Sequence, residues 1–151
     1  MLSLEYIAGI WDSDGSISIS KSKNHGFPSY RISCQLTWLK FDHSEKVINE
    51  IKERFGGSIF EESREKTNFG KYKNKYIAFK SDTLNAKSLL EAIEPYLVLK
   101  KEQAKTALKL QNLKKPRGYH GREKGYTKEE KIIFGELHEK CKMLNKQGKV
   151  I

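Results

Sequence analysis

The run Asp12-Ser13-Asp14-Gly15 holds the densest chemistry in the sequence. It closes a stretch that is apolar or small apart from Glu5: Leu4-Glu5-Tyr6-Ile7-Ala8-Gly9-Ile10-Trp11. Leu4, Ile7 and Trp11 recur at helical spacing, which predicts a helix with one buried stripe. Gly9 and Ser13 share another face, and small residues there let a second backbone approach closely. Gly15 is placed to stop the helix, because glycine tolerates the left-handed conformation that a helix end often needs. Asp14 is then left at the C-terminal end, where the helix dipole is negative and a carboxylate is disfavoured. A divalent cation relieves that conflict, since the carboxylate and the free carbonyls of the helix end are all oxygen ligands. An EF-hand loop is ruled out, because Gly15 follows Asp12 too soon for that loop's glycine.

The elements that must position this run follow in order. Ser16 to Lys23 alternates Ile17 and Ile19 with Ser18, Ser20 and Ser22, the pattern of a strand with one apolar face. Residues 24–28 form a turn. From Tyr30 to Trp38, Ile32, Cys34, Leu36 and Trp38 point one way, and Arg31, Ser33, Gln35 and Thr37 the other. These two strands read as a hairpin whose polar face carries hydroxyls, an amide and a guanidinium with almost no acid. That set suits hydrogen bonding to DNA base edges better than it suits plain solvation. A helix capped by Asp42 or Ser44 runs to Phe55 on Val47, Ile48, Ile51 and Phe55, and Gly56-Gly57 ends it. A second hairpin joins Ser58–Arg64 to 72–80, with Lys71, Lys73 and Lys75 alternating beside Arg64. Whether Ile77 and Phe79 or Tyr76 and Ala78 face inward is left open by the sequence. Asp82 or Thr83 starts a helix through Leu84, Leu89, Leu90 and Ile93, broken at Pro95. Another helix ends near Leu113. Residues 114–126 break all periodicity and carry Lys114, Lys115, Arg117, Arg122 and Lys124. Thr127 and Glu130 form a capping box for a last helix through Phe134, Leu137 and Cys141.

The 151 residues suit one domain with a real core. Against 19 acidic residues stand 29 Lys and Arg, a net charge of +10 that points to a polyanionic partner, nucleic acid first. The basic residues fall on strands and an irregular stretch rather than on one amphipathic helix, which disfavours a membrane surface. No apolar run is long enough to span a bilayer and no signal peptide is visible. Cys34 and Cys141 lack metal-ligand spacing and read as reduced thiols of an intracellular protein, in the cytoplasm or an organelle.

The nonapeptide Ile7-Ala8-Gly9-Ile10-Trp11-Asp12-Ser13-Asp14-Gly15 resembles the motif of the LAGLIDADG homing endonucleases. Ala8, Gly9, Asp12, Asp14 and Gly15 match it, while Ile7, Ile10, Trp11 and Ser13 depart from it. The resemblance implies an α+β fold in the order α-β-β-α-β-β-α, with a curved antiparallel sheet as a DNA-binding saddle and C-terminal helices. It covers roughly residues 1–113 as the core; 114–151 are a basic arm and a helix of the same domain. One motif per chain implies a homodimer in which Ala8, Gly9, Asp12 and Ser13 meet their symmetry mates and bring two Asp14 carboxylates together. Asp12 is more structural than chemical. Mg2+ is the implied cofactor, held by Asp14 and the carbonyl of Ser13, for a staggered cut in a long pseudo-palindromic double-stranded DNA.

Lys100 sits after Pro95 where the family keeps a basic residue beside its active site; Lys101 is its neighbouring competitor. Lys40 stands where close relatives often carry a glutamine that orients water, so the lysine departs from the pattern. The implied DNA readers are Ser18, Ser20, Ser22, Arg31, Ser33, Gln35 and Thr37, with Arg64, Lys71, Lys73 and Lys75 from the second hairpin. Lys114, Lys115, Arg117 and Arg122 would hold phosphates. Two other readings use the same scaffold: a maturase acting on intron RNA and a DNA-binding regulator that does not cut.

Overall fold

The computed structural model describes residues 1–24, 27–65, 73–114 and 126–147. Helix α1 spans Leu4–Ser13, strand β1 Ser16–Asn24 and strand β2 Phe27–Leu39. Helix α2 (Asp42–Phe55) precedes β3 (Ser58–Glu65) and β4 (Lys73–Asp82). Then come α3 (Thr83–Ile93), a 3-10 turn over Glu94–Tyr96, α4 (Lys101–Leu113) and α5 (Lys128–Lys146). The α+β order expected from the motif is the order observed. The two hairpins join into one antiparallel sheet in the order β1-β2-β4-β3, so the return strand of each hairpin is central.

The period of two decides the two faces of that sheet. Ile17, Ile19, Ile32, Cys34, Leu36, Ile77 and Phe79 point at the helices and are buried. The register runs without interruption through Leu36↔Phe79 and Trp38↔Ile77, which settles the inward side of 76–79 as Ile77 and Phe79. The helices close this face with Ile7, Trp11, Ile48, Ile51, Leu89, Leu90, Ile93, Leu110, Phe134 and Leu137 in a single apolar cluster. Trp11 is wholly buried and meets Phe79 edge-on at 5.9 Å. The helix α5 joins the same cluster: Phe134 and Tyr30 approach at 6.4 Å, and Asn145 Nδ2 donates to the Ile17 carbonyl at 2.9 Å.

Three local expectations change. Helix α2 starts after Phe41, and Ser44, inside its first turn, accepts the Phe41 N–H at 3.0 Å. Leu84 is 65 % exposed, and Ala86 takes the buried place in the α3 stripe. Gly15 is not in the left-handed region; the positive-φ glycines among the described residues are Gly56 and Gly57. Glycine is needed at 15 because a Cβ there would lie 2.6 Å from the Trp11 ring. The tight exit from α1 is therefore set by a core indole, not by a backbone angle.

Candidate functional site at the end of the first helix

Ser3 starts α1 by accepting the Tyr6 N–H. At the other end, the Asp14 and Gly15 N–H groups both reach the Ile10 carbonyl, at 2.8 and 3.2 Å. A helix end leaves carbonyls without partners and concentrates negative potential there. In this fold a lysine answers that need. Lys100 Nζ donates to the carbonyls of Trp11 at 2.6 Å, Asp12 at 3.2 Å and Gly15 at 2.6 Å. An ammonium has three N–H donors, so all three are engaged.

Asp12 performs the mirror task for α4. Its carboxylate accepts the backbone N–H of Val98 at 2.8 Å, Leu99 at 3.1 Å and Lys100 at 2.9 Å. Those N–H groups lead into the first turn of α4, whose dipole favours an anion. Thus α1 and α4 cap each other's ends, with charge-assisted hydrogen bonds in both directions. Burial pushes the Lys100 ammonium below its ordinary range, and Asp12 and Asp14 partly offset that shift. Lys101 donates instead to the Pro95 carbonyl at 3.3 Å, which leaves Lys100 as the lysine of this site.

Asp14 is the exposed carboxylate of the cluster. Its Oδ2 accepts the indole N–H of Trp38 at 2.9 Å. Trp38 was expected to serve only the apolar side of β2. It does lie on that side, half-buried, but its polar edge turns to Asp14. Sequence reasoning missed it because alternation assigns a face and cannot show where an indole N–H finds its acceptor. The Ser13 hydroxyl bonds the carbonyls of Gly9 and Ile10, at 3.0 and 3.1 Å. Among the described residues no group of three or more His, Cys, Asp or Glu side chains stands ready for a metal. The donors fit a hard cation that keeps most of its waters: one exposed carboxylate and, next to it, the Ser13 carbonyl, which Lys100 does not take.

Among the described residues no hydrogen bond joins Lys40 to this cluster. Its Nζ lies 2.5 Å from Glu61 Oε1 on β3. That hydrogen bond holds the ammonium above the usual lysine range and the Glu61 carboxyl below the usual carboxylate range. Ala8 is also displaced from its expected role: it is fully buried in its own chain and cannot face a second copy. Gly9 and Ser13 are exposed, and a Cβ on Gly9 would meet nothing within 4 Å. Val98 and Leu99, 79 % and 74 % exposed, stand where their N–H groups hold Asp12.

The open face of the sheet carries Ser18, Ser20, Ser22, Arg31, Gln35 and Thr37, as the alternation predicted. Ser33 shares that side but is 5 % exposed, because it lies in a central strand between Ser18 and Asp82. It offers no surface donor. Arg64 is on the open face, pairs with Glu62 at 3.0 Å and lies 4.7 Å over the Tyr76 ring. Lys75 is corrected: it pairs with Ser63 and shares the side of Ile77 and Phe79. Tyr76, Asn74 and Lys80 take the open side of β4 in its place. Lys73 lies on that same strand, and its side chain, with Lys71, Lys115, Arg117 and Arg122, lies outside the described residues. Lys114 Nζ donates to the Tyr30 carbonyl, so it ties α4 to β2 rather than reaching outward. Burial, then Arg31, pushes its ammonium down.

No family model and no curated protein matches the sequence. Solved structures do match its fold. One is the homing endonuclease I-CvuI in complex with the I-CreI target, with Mg present and the DNA not cleaved; it is 18 % identical with a TM-score of 0.67, over 98 % of this chain and 85 % of that one. The LAGLIDADG homing endonuclease I-GzeII in complex with its DNA target is 19 % identical with a TM-score of 0.61. The match covers 99 % of this chain and 45 % of I-GzeII. I-SmaMI bound to uncleaved DNA with calcium is 18 % identical with a TM-score of 0.63, over 95 % of this chain and 46 % of that one. The chain therefore has the LAGLIDADG homing endonuclease fold. No described helix is long and apolar enough to cross a membrane.

Proposed function

We propose that this chain is a site-specific, Mg2+-dependent DNA endonuclease that acts inside the cell as a homodimer and makes a staggered cut in a long pseudo-palindromic site, as an intron-homing enzyme does. The observation that carries the reading is Asp14. It is an exposed carboxylate, hydrogen bonded among the described residues through one oxygen only, one residue before the buried Gly15 and two before the open face begins at Ser16. The fold neighbours solved with DNA support a duplex as the partner of that face.

The dimer reading is supported by Gly9 and Ser13 on the exposed side of α1, and by Val98 and Leu99, exposed where their N–H groups hold Asp12. Large apolar side chains at that exposure mark a surface that another surface covers. Matching less than half of I-GzeII and I-SmaMI is also consistent with one chain forming half of a two-part assembly. In the dimer each Asp14 and Ser13 carbonyl would hold Mg2+, which supplies charge neutralisation at the scissile phosphate and an activated water. Lys100 fixes the helix end, its three donors engaged by carbonyls, and adds positive potential beside Asp14. Ser18, Ser20, Ser22, Arg31, Gln35 and Thr37 would read base edges in the major groove, which admits a two-stranded ribbon.

The test is a selection from partly randomised pseudo-palindromic duplexes, bound without metal and then given Mg2+. Staggered cuts near the centre of the recovered site are expected, reduced at least about 1000-fold in Asp14→Asn with DNA affinity retained. Selective binding with no cut in the parent protein would turn the reading into that of a regulator. No selective DNA binding would leave intron RNA as the partner to test.

A further inference from the structure

We infer that Trp38 is a positioning residue for Asp14: its indole N–H fixes one carboxylate oxygen, Oδ2, so that the other, Oδ1, is presented to a divalent cation. The inference rests on the endonuclease reading of Asp14 and adds to it a residue that the motif does not contain. Trp38 and Asp14 are 24 positions apart, one near the end of a central strand and the other at the end of α1, yet Nε1 and Oδ2 lie 2.9 Å apart. Oδ1 makes no hydrogen bond among the described residues.

The donor's chemistry defines the role. An indole N–H donates and never accepts, so Trp38 cannot act as a base or ligate the cation. It does not titrate, so its hold persists whatever else the carboxylate binds. Asp14 is exposed and just past the last turn of its helix, where a lone carboxylate would rotate freely about χ1 and χ2. A ligand oxygen held in place before the metal arrives loses less freedom on binding it. The contrast with Trp11 separates this from packing. Trp11 is wholly buried against Phe79, and its Nε1 has no hydrogen-bond partner among the described residues. Trp38 is half-buried and directs its polar edge to the one exposed acid of the site.

Two measurements test this on the full chain. In a 1H–15N spectrum, Trp11 and Trp38 give the two indole N–H signals, assigned with Trp38→Phe. Asp14→Asn should shift the Trp38 signal and leave that of Trp11 in place; an unmoved Trp38 signal overturns the contact. In cutting assays, Trp38→Phe should raise the Mg2+ concentration for half-maximal rate about 3- to 10-fold, the cost of immobilising one side chain. The rate at saturating Mg2+ and the metal-free DNA affinity should change far less, and Trp38→His, which restores a ring N–H, should recover part of the Mg2+ response. An unchanged Mg2+ midpoint, or an equal loss at all Mg2+ concentrations, overturns the proposal. If the parent protein cuts no DNA, the endonuclease reading falls and a titration with Ca2+ alone decides the positioning role. A shift of the Trp38 signal that Asp14→Asn abolishes supports it, and no shift overturns it.

Discussion

The end of α1 and the open face of the sheet are both polar, and they are built in opposite ways. At the helix end nearly every polar atom is already committed. Asp12 holds three N–H groups, Lys100 three carbonyls, Ser13 two carbonyls and Asp14 one indole. On the open face, Ser18, Ser22, Arg31, Gln35 and Thr37 make no side-chain hydrogen bond to the rest of the chain among the described residues. Chemistry on a phosphodiester rewards groups already in place, because no reorganisation is then needed as charge develops. Reading a sequence rewards donors and acceptors left for the ligand, held only by a rigid backbone. The two regions share β1 as a border, so in the proposed endonuclease a fixed reaction point and a replaceable reading surface would be joined within a few residues.

The largest effect that sharpens this contrast is expected at Lys100. Lys100→Met should lower cutting about 100-fold, the size typical of losing one electrostatic group at a reacting centre. It should also destabilise the fold by about 1–2 kcal/mol after solvent screening, because three helix-end carbonyls lose their cap. A loss of rate with an unchanged melting temperature would mean that Lys100 leaves the carbonyls and acts directly on substrate. The pH dependence has a definite sign. The folded-state ammonium titrates below its ordinary value of 10.5. Between the lowered value and 10.5 the folded chain therefore binds fewer protons than the unfolded chain, and Lys100 adds stability as pH rises through that window. Its positive charge is lost over the same range. Cutting should thus fall on an alkaline limb centred below 10.5, and Lys100→Met should lack that limb.

A somewhat smaller effect is expected at Asp12, on the same interlock from the other side. Asp12→Ala leaves the N–H groups of Val98, Leu99 and Lys100 without their acceptor. Solvent reaches this loop and recovers part of the loss, so about 2 kcal/mol of stability is the expected cost, read from denaturant midpoints at constant slope. A change under 0.5 kcal/mol, about the scale of an ordinary surface substitution, would show that α1 and α4 do not depend on each other for their caps.

The sequence made one half of this contrast legible and hid the other. Alternation at Ile17, Ile19, Ile32, Cys34 and Leu36 announced both the sheet and its polar side, because a period of two needs only neighbouring residues to read. The same rule failed at Lys75, where the tip of the hairpin intervenes and one residue of register moves a side chain to the other face. The interlock was legible only in part. That Asp14 ends α1 followed from the helical spacing and Gly15, and a structural place for Asp12 came with the family resemblance. That Lys100, rather than a cation, occupies the end carbonyls depends on a contact across 85 to 89 residues of chain. No local pattern encodes such a contact. Trp38 was hidden for the same reason, as was the pairing of Lys40 with Glu61, which lies on another hairpin.

The smallest expected effect concerns the open face, and there the sign of the contrast reverses. Arg31→Ala removes a side chain that makes no hydrogen bond among the described residues, so stability should change by no more than about 0.5 kcal/mol. The loss should appear only with DNA bound. If the guanidinium reads a guanine edge, discrimination at one or two base pairs of each half-site should fall about 10-fold, near the low end of the 1–3 kcal/mol range for a bidentate contact. If the chain reads two half-sites as the proposed dimer, the relaxed positions should come in symmetric pairs. A profile recovered by selection with the variant should match that of the parent at every other position. Equal weakening for all sequences, with a shallower salt dependence, would make Arg31 a phosphate contact and shift base reading to Gln35 and Thr37. A fall in melting temperature would be more damaging, because it would mean that the open face is wired into the fold as the helix end is.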